Sequence, residues 1–390
     1  MSSPLHILFT NNALMYPAGT EIAVREVGRN LIARGHRVTA YSPMVGSFAD
    51  DLRALGVEVV SSLDAMTDRP DVIHGHHEWE TSLAAMHWPD VPVVSFVRGA
   101  RVWQEAPCFA PNVVRYAAVD QGCVQRALAC GVEESKLQLV LNAVDMQRFA
   151  TVRKPRRKPK RALIFSNYAQ PGNYMDAVME GCKKAGVKCD VIGNGMGNCR
   201  PDPEAFLPEY DLVFAKSKAV LEALACGCGV IVCCEPGLGP VVTRENFEAL
   251  RRESFFYDCM SDEITPDAIA GRIREWDPAQ APELTAHVRE VCSFDRHVAE
   301  LEALYREAAA TEITPDPVAI GRFAAALAEP KTTAFKAGRQ MLEYLRDAEN
   351  REVPQDAATA AKEHDSLLDR YRKGRKAVAE LKKLKKQLGK

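Results

Sequence analysis

A dense run of imidazoles, His74, His76 and His77 followed by Glu78, closes the short apolar stretch DVIHGHH. Such a cluster could hold zinc, but successive strand residues point to opposite faces and no distant third ligand suggests itself. The spacing favours His74 packed beneath a sheet, with His76 or His77 orienting a hydroxyl or contacting a phosphate. Glycine-rich turns offer a second chemistry, because backbone N–H groups at such loops and at helix N-termini suit phosphate oxygens. Three stretches qualify: Gly19 and Thr20 in PAGTE, Gly193, Asn194 and Gly195 in GNGMG, and GLGP, where Gly239 leads toward Thr243 and Asn246. An ordinary Gly-Pro turn would look the same in the third case. Cys226, Cys228, Cys233 and Cys234 crowd into ACGCGVIVCC. Their spacing is wrong for two CxxC knuckles and their neighbours are small and apolar, so they read as buried hydrophobes and no metal is expected.

These residues need a scaffold, and 390 residues at roughly 150 per domain suggest two or three domains. HILFTNN, HRVTAYS, VEVVSS, DVIHGHH, VPVVSFV, RYAAVD and LQLVLNAVD read as strands. Helix-periodic runs alternate with them at Ile22–Ala33, around Asp50–Leu55, at TSLAAMHW and at Gln121–Cys130, with Gly35 as a helix stop. The alternation restarts with RALIFSN, a helix over Tyr174–Ala185, CDVIGNG, DLVFAK, a helix over Lys218–Ala225, and GVIVCC. The expected fold is α/β, a tandem of two doubly wound Rossmann-type domains with parallel sheets. Expected boundaries are 1–150, a linker at 151–161, a second domain at 162–310, a helical extension at 311–365 and a basic amphipathic helix at 366–390.

A formal net charge of −2 conceals this partition. TVRKPRRKPKR (151–161) has seven basic residues in eleven and two prolines, and reads as a charged, extended linker. Residues 366–390 carry ten basic against two acidic residues. Everything else holds 33 basic against 50 acidic, a body of net −17. In the tail, Leu367, Tyr371, Val378, Leu381, Leu384 and Leu388 give a short coiled-coil-like seam interrupted at Gly374 and Lys385. An isolated helix this polar is marginal in water, so the tail is expected to pack on a second copy of the chain or an anionic membrane surface. Nucleic acid is disfavoured as its partner, since no aromatic platform accompanies the charge. No apolar run approaches the ~20 residues of a membrane helix, and the N-terminus lacks the order of a secretion signal. A cytoplasmic protein is expected, with reduced cysteines and, through its tail, peripheral contact with the inner face of the membrane.

From about Ile7 to Arg306, the ordered set PAGTE, DVIHGHH, LNAVDMQRF, DVIGNG and VLEALACGCGVIV resembles the group-1, family-4-like glycosyltransferases of GT-B fold. The resemblance implies a nucleotide sugar held in the second domain by base, ribose and diphosphate, with the acceptor docked on the first. It makes Glu222 the ribose contact and Gly193–Gly197 a contact for base or phosphates. The chain departs from the family where charge matters most. Phe214 stands eight positions before Glu222, where the family has a second glutamate. SNYAQPGNYMDA replaces the segment that carries the diphosphate-clamping Arg and Lys, and SFVRG puts Val97 or Arg98 where a histidine is usual. Lys216 and Lys218, before the Glu222 helix, and Arg98, across the cleft, are the cations able to take over, since a phosphate clamp needs charge and geometry rather than a fixed position. FAK and GLGPVVT resemble a subset of these transferases.

The resulting expectation is transfer of a hexose from a nucleotide diphosphate sugar, as co-substrate and without metal or other cofactor, to a carbohydrate or lipid-linked acceptor in polysaccharide biosynthesis. His77, Arg98 and Lys216 are the expected catalytic residues. Retention is expected, because in retaining members of this fold the leaving phosphate takes the acceptor proton and no strong protein nucleophile is needed. The competing expectations are a sugar-nucleotide epimerase on the same fold and a catalytically degenerate scaffold recruited through its basic tail.

Overall fold

Apolar, β-branched runs become strands and the half-polar runs between them become helices, in close to strict alternation. The computed structural model describes residues 3–17 and 19–328. The first half comprises β1 (His6–Thr10), α1 (Gly19–Ala33), β2 (Arg37–Tyr41), α2 (Phe48–Ala54), β3 (Glu58–Val60), β4 (Val72–Gly75), α3 (Glu78–His87), β5 (Val93–Val97), β6 (Val113–Ala118), α4 (Gln121–Ala129) and β7 (Leu137–Leu139). Its sheet is ordered β3-β2-β1-β4-β5-β6-β7 and every pair is parallel. Helix α1 ends before Gly35, whose φ of 90° only glycine adopts readily. It begins three residues earlier than the sequence periodicity suggests, at Gly19 itself.

The second half comprises β8 (Arg161–Phe165), α5 (Tyr174–Lys184), β9 (Lys188–Ile192), α6 (Pro203–Phe206), β10 (Leu212–Ala215), α7 (Lys218–Ala225), β11 (Gly229–Cys234) and β12 (Gly237–Val241). Its order is β12-β11-β10-β8-β9, parallel except for β12. GLGP is therefore part of an antiparallel edge strand and not an anion-binding loop. Pro240 is tolerated there because an edge strand can spare an N–H. A Cβ on Gly239 would stand 2.4 Å from the Cys259 carbonyl oxygen, so this glycine lets the edge strand pack against the turn at Tyr257–Cys259. Cys226, Cys228 and Cys234 enter one core and Cys233 the other, because neighbouring residues of β11 face opposite sides.

After α8 (Phe247–Arg252), α9 (Pro266–Glu275) and α10 (Ala281–Val291), the chain returns to the first sheet as α11 (Phe294–Ala309). Phe294, Val298, Leu301, Leu304 and Tyr305 share a core with Ile7, Phe9 and Phe96. The outgoing and returning segments are stitched where they cross: Val144 N–H donates to the Cys292 carbonyl at 2.9 Å and Phe294 N–H to the Val144 carbonyl at 3.0 Å. Residues 294–309, grouped by the sequence with 162–310, thus pack with the first core. The basic linker is extended, and it is also tied down. Fully buried Asp211 accepts Lys160 N–H at 2.8 Å and Arg161 N–H at 3.0 Å and pairs with the Arg153 guanidinium. One compact unit ends at Phe323. Residues 317–328 are helical, whereas the rest of the expected extension and the heptad-like tail lie outside the described residues.

Candidate functional site

In open parallel sheets, ligands bind beyond the carboxyl ends of the strands where the strand order reverses. The first sheet reverses between β1 and β4, the second between β8 and β10. DVIHGHH leads out of β4 and FAKSK out of β10, so both fall at switch points. Each crossing has a non-glycine residue in the left-handed half of backbone space immediately before its helix. These are His77 (φ 63°) before α3 and Ser217 (φ 53°, ψ −136°) before α7. Such backbone costs on the order of 1–3 kcal/mol and persists where the surroundings over-determine it. Neither residue type signals this conformation in a sequence.

On the first domain, the histidines are used internally. His74 lies between the rings of Phe9 and Phe96, with centroids at 4.3 and 3.7 Å. Its Nδ1 meets the Tyr305 hydroxyl at 2.5 Å and its Nε2 meets His76 Nε2 at 2.7 Å. Burial drives both imidazoles well below the usual histidine pKa, helped by repulsion from Arg98 and, for His76, from His74 first. His76 is fully buried, which places its ring beneath the cleft rather than in it. Thr10 and Thr81 hydroxyls donate to its carbonyl, tying β1 to β4. His77 accepts Asn12 N–H on Nδ1 at 3.1 Å, and its Nε2 stands 3.4 Å from the Glu105 carboxylate. It therefore fixes the turn that ends β4.

Arg98, directly after β5, differs. Among the described residues its guanidinium has no hydrogen-bond or salt-bridge partner. Burial lowers its pKa, opposed most by Glu105. A desolvated, unpaired guanidinium is the arrangement that a bound anion would complete. Gly19 and Thr20 form the first turn of α1, where the Thr20 hydroxyl donates to Glu21 at 3.0 Å.

On the second domain, the Lys216 ammonium lies 3.8 Å from the Phe256 ring centroid and 4.4 Å from that of Tyr168. Burial lowers its pKa, and cation–π contact holds it at the β8/β10 switch point with no carboxylate ion pair among the described residues. Two residues on, Lys218 bridges the halves: it pairs with Glu26 of α1 and stands 3.7 Å from Glu222. Glu222 lies one turn into α7, and burial pushes its carboxyl up to about 7 against the opposing pull of Lys218. Arg101, from the loop after β5, lies over Tyr257 at 3.8 Å and forms a second link between the halves. His297, on α11, is pushed down to about 4 by burial and by the nearby Arg98, Lys218 and Arg251. Sequence reasoning passed over Glu26, Ser217 and His297. A lone acid or histidine on a polar helix carries no local sign of burial.

The GNGMG loop is organised otherwise than a phosphate cradle. Gly193, Asn194, Gly195, Met196 and Gly197 each donate their N–H to the protein: to Asn198 Oδ1, Asn167 Oδ1, and the carbonyls of Asn167, Gly193 and Asn194. A Cβ on Gly193 would stand 2.0 Å from the Ser166 carbonyl oxygen and one on Gly195 2.3 Å from that of Ala169. The glycines let the β9 and β8 loops touch, which shapes the cleft wall. Gly193→Ala should therefore remove about 3 kcal/mol of stability, the upper range for forced overpacking. Urea denaturation showing a loss under about 0.5 kcal/mol would contradict this role.

No family model matches the chain, and no curated protein matches it. Solved structures do. A glycosyltransferase from Rickettsia africae is 12% identical, with 80% of this chain and 100% of that one covered and a TM-score of 0.58. Anabaena Alr3699/HepE in complex with UDP is 12% identical over 78% of this chain and 100% of that one, with a TM-score of 0.59. The same protein in complex with UDP-glucose gives 12%, 77% and 100%, with a TM-score of 0.54. The architecture described above is the GT-B fold.

Proposed function

We propose that the chain transfers a hexose from a nucleotide diphosphate sugar to a carbohydrate or lipid-linked acceptor, with retention at the anomeric carbon. One observation carries the reading. The β10–α7 crossing carries in close succession an ammonium with no carboxylate partner among the described residues, a strained turn, a helix N-terminus and a buried carboxyl. At 1.5 Å rise per residue, Glu222 is roughly 6 Å along the axis from Lys218, which suits a diphosphate at the helix start and a ribose one turn on. The UDP and UDP-glucose complexes of a similarly folded protein support it.

In this reading Lys216 and the first N–H groups of α7 hold the diphosphate, and Glu222 accepts the ribose hydroxyls. Arg98 approaches from the first domain to stabilise the negative charge that grows on the leaving phosphate. His77 and His76 shape the opposing loop. The departing phosphate oxygen accepts the acceptor's proton, so no further protein base is required.

A calorimetric panel of UDP, GDP, ADP and their sugars tests this, and binding of none would end it. Lys216→Met should weaken binding of the preferred diphosphate about 10- to 100-fold, the range of one charged hydrogen bond, and unchanged affinity would remove Lys216 from the site. One observation favours a catalytically silent donor-binding scaffold instead. Phe214, at the position of the family's second glutamate, is fully buried in the core below β10. That reading keeps nucleotide binding but yields neither transfer nor donor hydrolysis.

A further inference from the structure

Two cations that the proposed function puts at the diphosphate stand on different halves, Arg98 on the loop after β5 and Lys216 at the end of β10. A run of ring contacts joins those two loops. Arg101, three residues after Arg98, has its guanidinium carbon 3.8 Å from the Tyr257 ring centroid. The Tyr257 and Phe256 centroids are 3.9 Å apart, with planes at 39°. The Phe256 centroid lies 3.8 Å from the Lys216 ammonium, and the Tyr168 centroid 4.4 Å from it.

Both ends of this run are built on fixed backbone. Just before the rings, Ser254 and Phe255 are non-glycine residues at φ 55° and 50°, a conformation that persists where the surroundings over-determine it. Ser254 N–H donates to the Arg251 carbonyl at 3.0 Å and Phe255 N–H to the Leu250 carbonyl at 2.9 Å, while the Phe255 side chain is buried in the core beside Phe247. The Phe255 carbonyl in turn accepts the N–H of Ser217, the neighbour of Lys216, at 3.5 Å. After Phe256, its carbonyl accepts Cys259 N–H at 2.7 Å. On the first domain, Arg126 donates to the carbonyls of Gly99 and Val102 and so clamps the loop that carries Arg101. Among the described residues, Arg101 makes no ion pair or hydrogen bond with its side chain, and its contact is the Tyr257 ring.

We propose that Phe256 and Tyr257 are positioning residues that tie the placement of Lys216 to that of the Arg98–Arg101 loop. Rings suit this task better than carboxylates. A ring face holds a cation by its quadrupole and leaves the charge available to an anion, whereas an ion pair would neutralise the cation that a phosphate needs. The role at a diphosphate rests on the transferase reading; the link from Arg101 to Lys216 does not.

The test converts the lysines of the full protein to ¹³C-dimethylamines, which keep their charge, and follows Lys216 by NMR. Its resonance is assigned by its absence in Lys216→Arg, and ring currents should set it upfield of the other lysines. Phe256→Leu should return it most of the way. Arg101→Met and Tyr257→Leu should each return it part of the way, although the rings on Lys216 are those of Phe256 and Tyr168. Arg101→Lys and Tyr257→Phe, which keep the cation and the ring, should leave it in place. Arg101 is exposed, so Arg101→Met should fold normally, and the remaining lysine resonances report this. Calorimetry with UDP, GDP and ADP gives the second readout. Arg101→Met should weaken the preferred diphosphate about three- to tenfold, in the range for coupled neighbours, and should weaken it no further in a Lys216→Met background. A Lys216 resonance unmoved by Arg101→Met would overturn the proposal. So would an equal loss of affinity in the Lys216→Met background, which would mean that Arg101 meets the anion itself. If the resonance follows Arg101 and no nucleotide binds, the transferase reading falls and the link stands.

Discussion

Glu222→Gln is expected to weaken nucleoside diphosphate binding about 100-fold while making the folded protein more stable above neutral pH. Both effects come from one desolvated carboxyl. Burial raises its pKa from 4.5 to about 7, Lys218 opposes this, and Glu26 adds to it. Between pH 4.5 and 7 the native state therefore binds a proton that the unfolded chain has released, so stability falls as pH rises through that window. Above pH 7 the whole cost is carried, on the order of 3 kcal/mol for a shift of this size. Glutamine removes that cost, and a higher Tm at pH 8 than at pH 5, relative to wild type, is the expected signature.

Binding runs the other way. Two ribose hydroxyls donating to a carboxylate contribute about 1.5–3 kcal/mol each, and the amide keeps only one good acceptor. Because the hydroxyls favour the ionised form, binding to the wild type near pH 7 should release a proton. Affinity should fall up to tenfold per unit as pH drops below 7, and the glutamine variant should be flat. Calorimetry in two buffers of unlike ionisation heat measures both. A variant that binds within threefold of wild type would remove Glu222 from the site. One that loses binding and also melts lower at pH 8 would make Glu222 a structural residue.

Much of this arrangement was legible in the sequence. The helix expected over Lys218–Ala225 has those bounds in the structure, because a polar start, an apolar stripe and a Cys-Gly stop agree on one answer. Other features depended on partners that local sequence cannot name. The stripe Phe294, Val298, Leu301, Leu304 and Tyr305 announces an amphipathic helix but not which sheet it covers. GLGP reads as a turn by composition and becomes a strand only because β11 offers an edge. Lys216 and Arg98 were visible as cations. Their distinguishing property, the lack of a carboxylate ion pair among the described residues, exists only once strand order brings β8 beside β10 and β4 beside β5. His76 shows the reverse dependence: a histidine at a strand end reads as a ligand contact, and the fold buries its ring with Nε2 against His74.

Asp211→Asn should be the most destabilising conservative change in the second domain, costing about 3–5 kcal/mol, the usual penalty for breaking a buried ion pair from one side. For a chain of this size that corresponds to roughly 5 °C in Tm. Asp211 opens β10, with its own N–H given to the Arg161 carbonyl and its carbonyl accepting Gly229 N–H, each at 2.9 Å. Its side chain gathers the basic linker around one fully buried carboxylate. Burial pushes the carboxyl up, but the N–H groups of Lys160 and Arg161, then Arg153 and Arg156, hold it below the usual value. A depressed folded pKa means that this stabilisation is present above about pH 4 and lost as pH falls further, so the asparagine variant should lack that part of the acid transition. Asparagine also turns an amide toward backbone N–H donors and leaves the nearly buried Arg153 without its counter-charge. Adding Arg153→Met should therefore recover part of the loss, since removing both members of a buried pair costs far less than removing one. Urea denaturation of the single and double variants measures this directly. A single-variant loss below about 1 kcal/mol, or a double variant no better than the single, would show that the linker is held by something other than Asp211. Nucleotide affinity below the melting range should stay unchanged in either, because the carboxylate is at the amino end of β10 and the Lys216 crossing at the other.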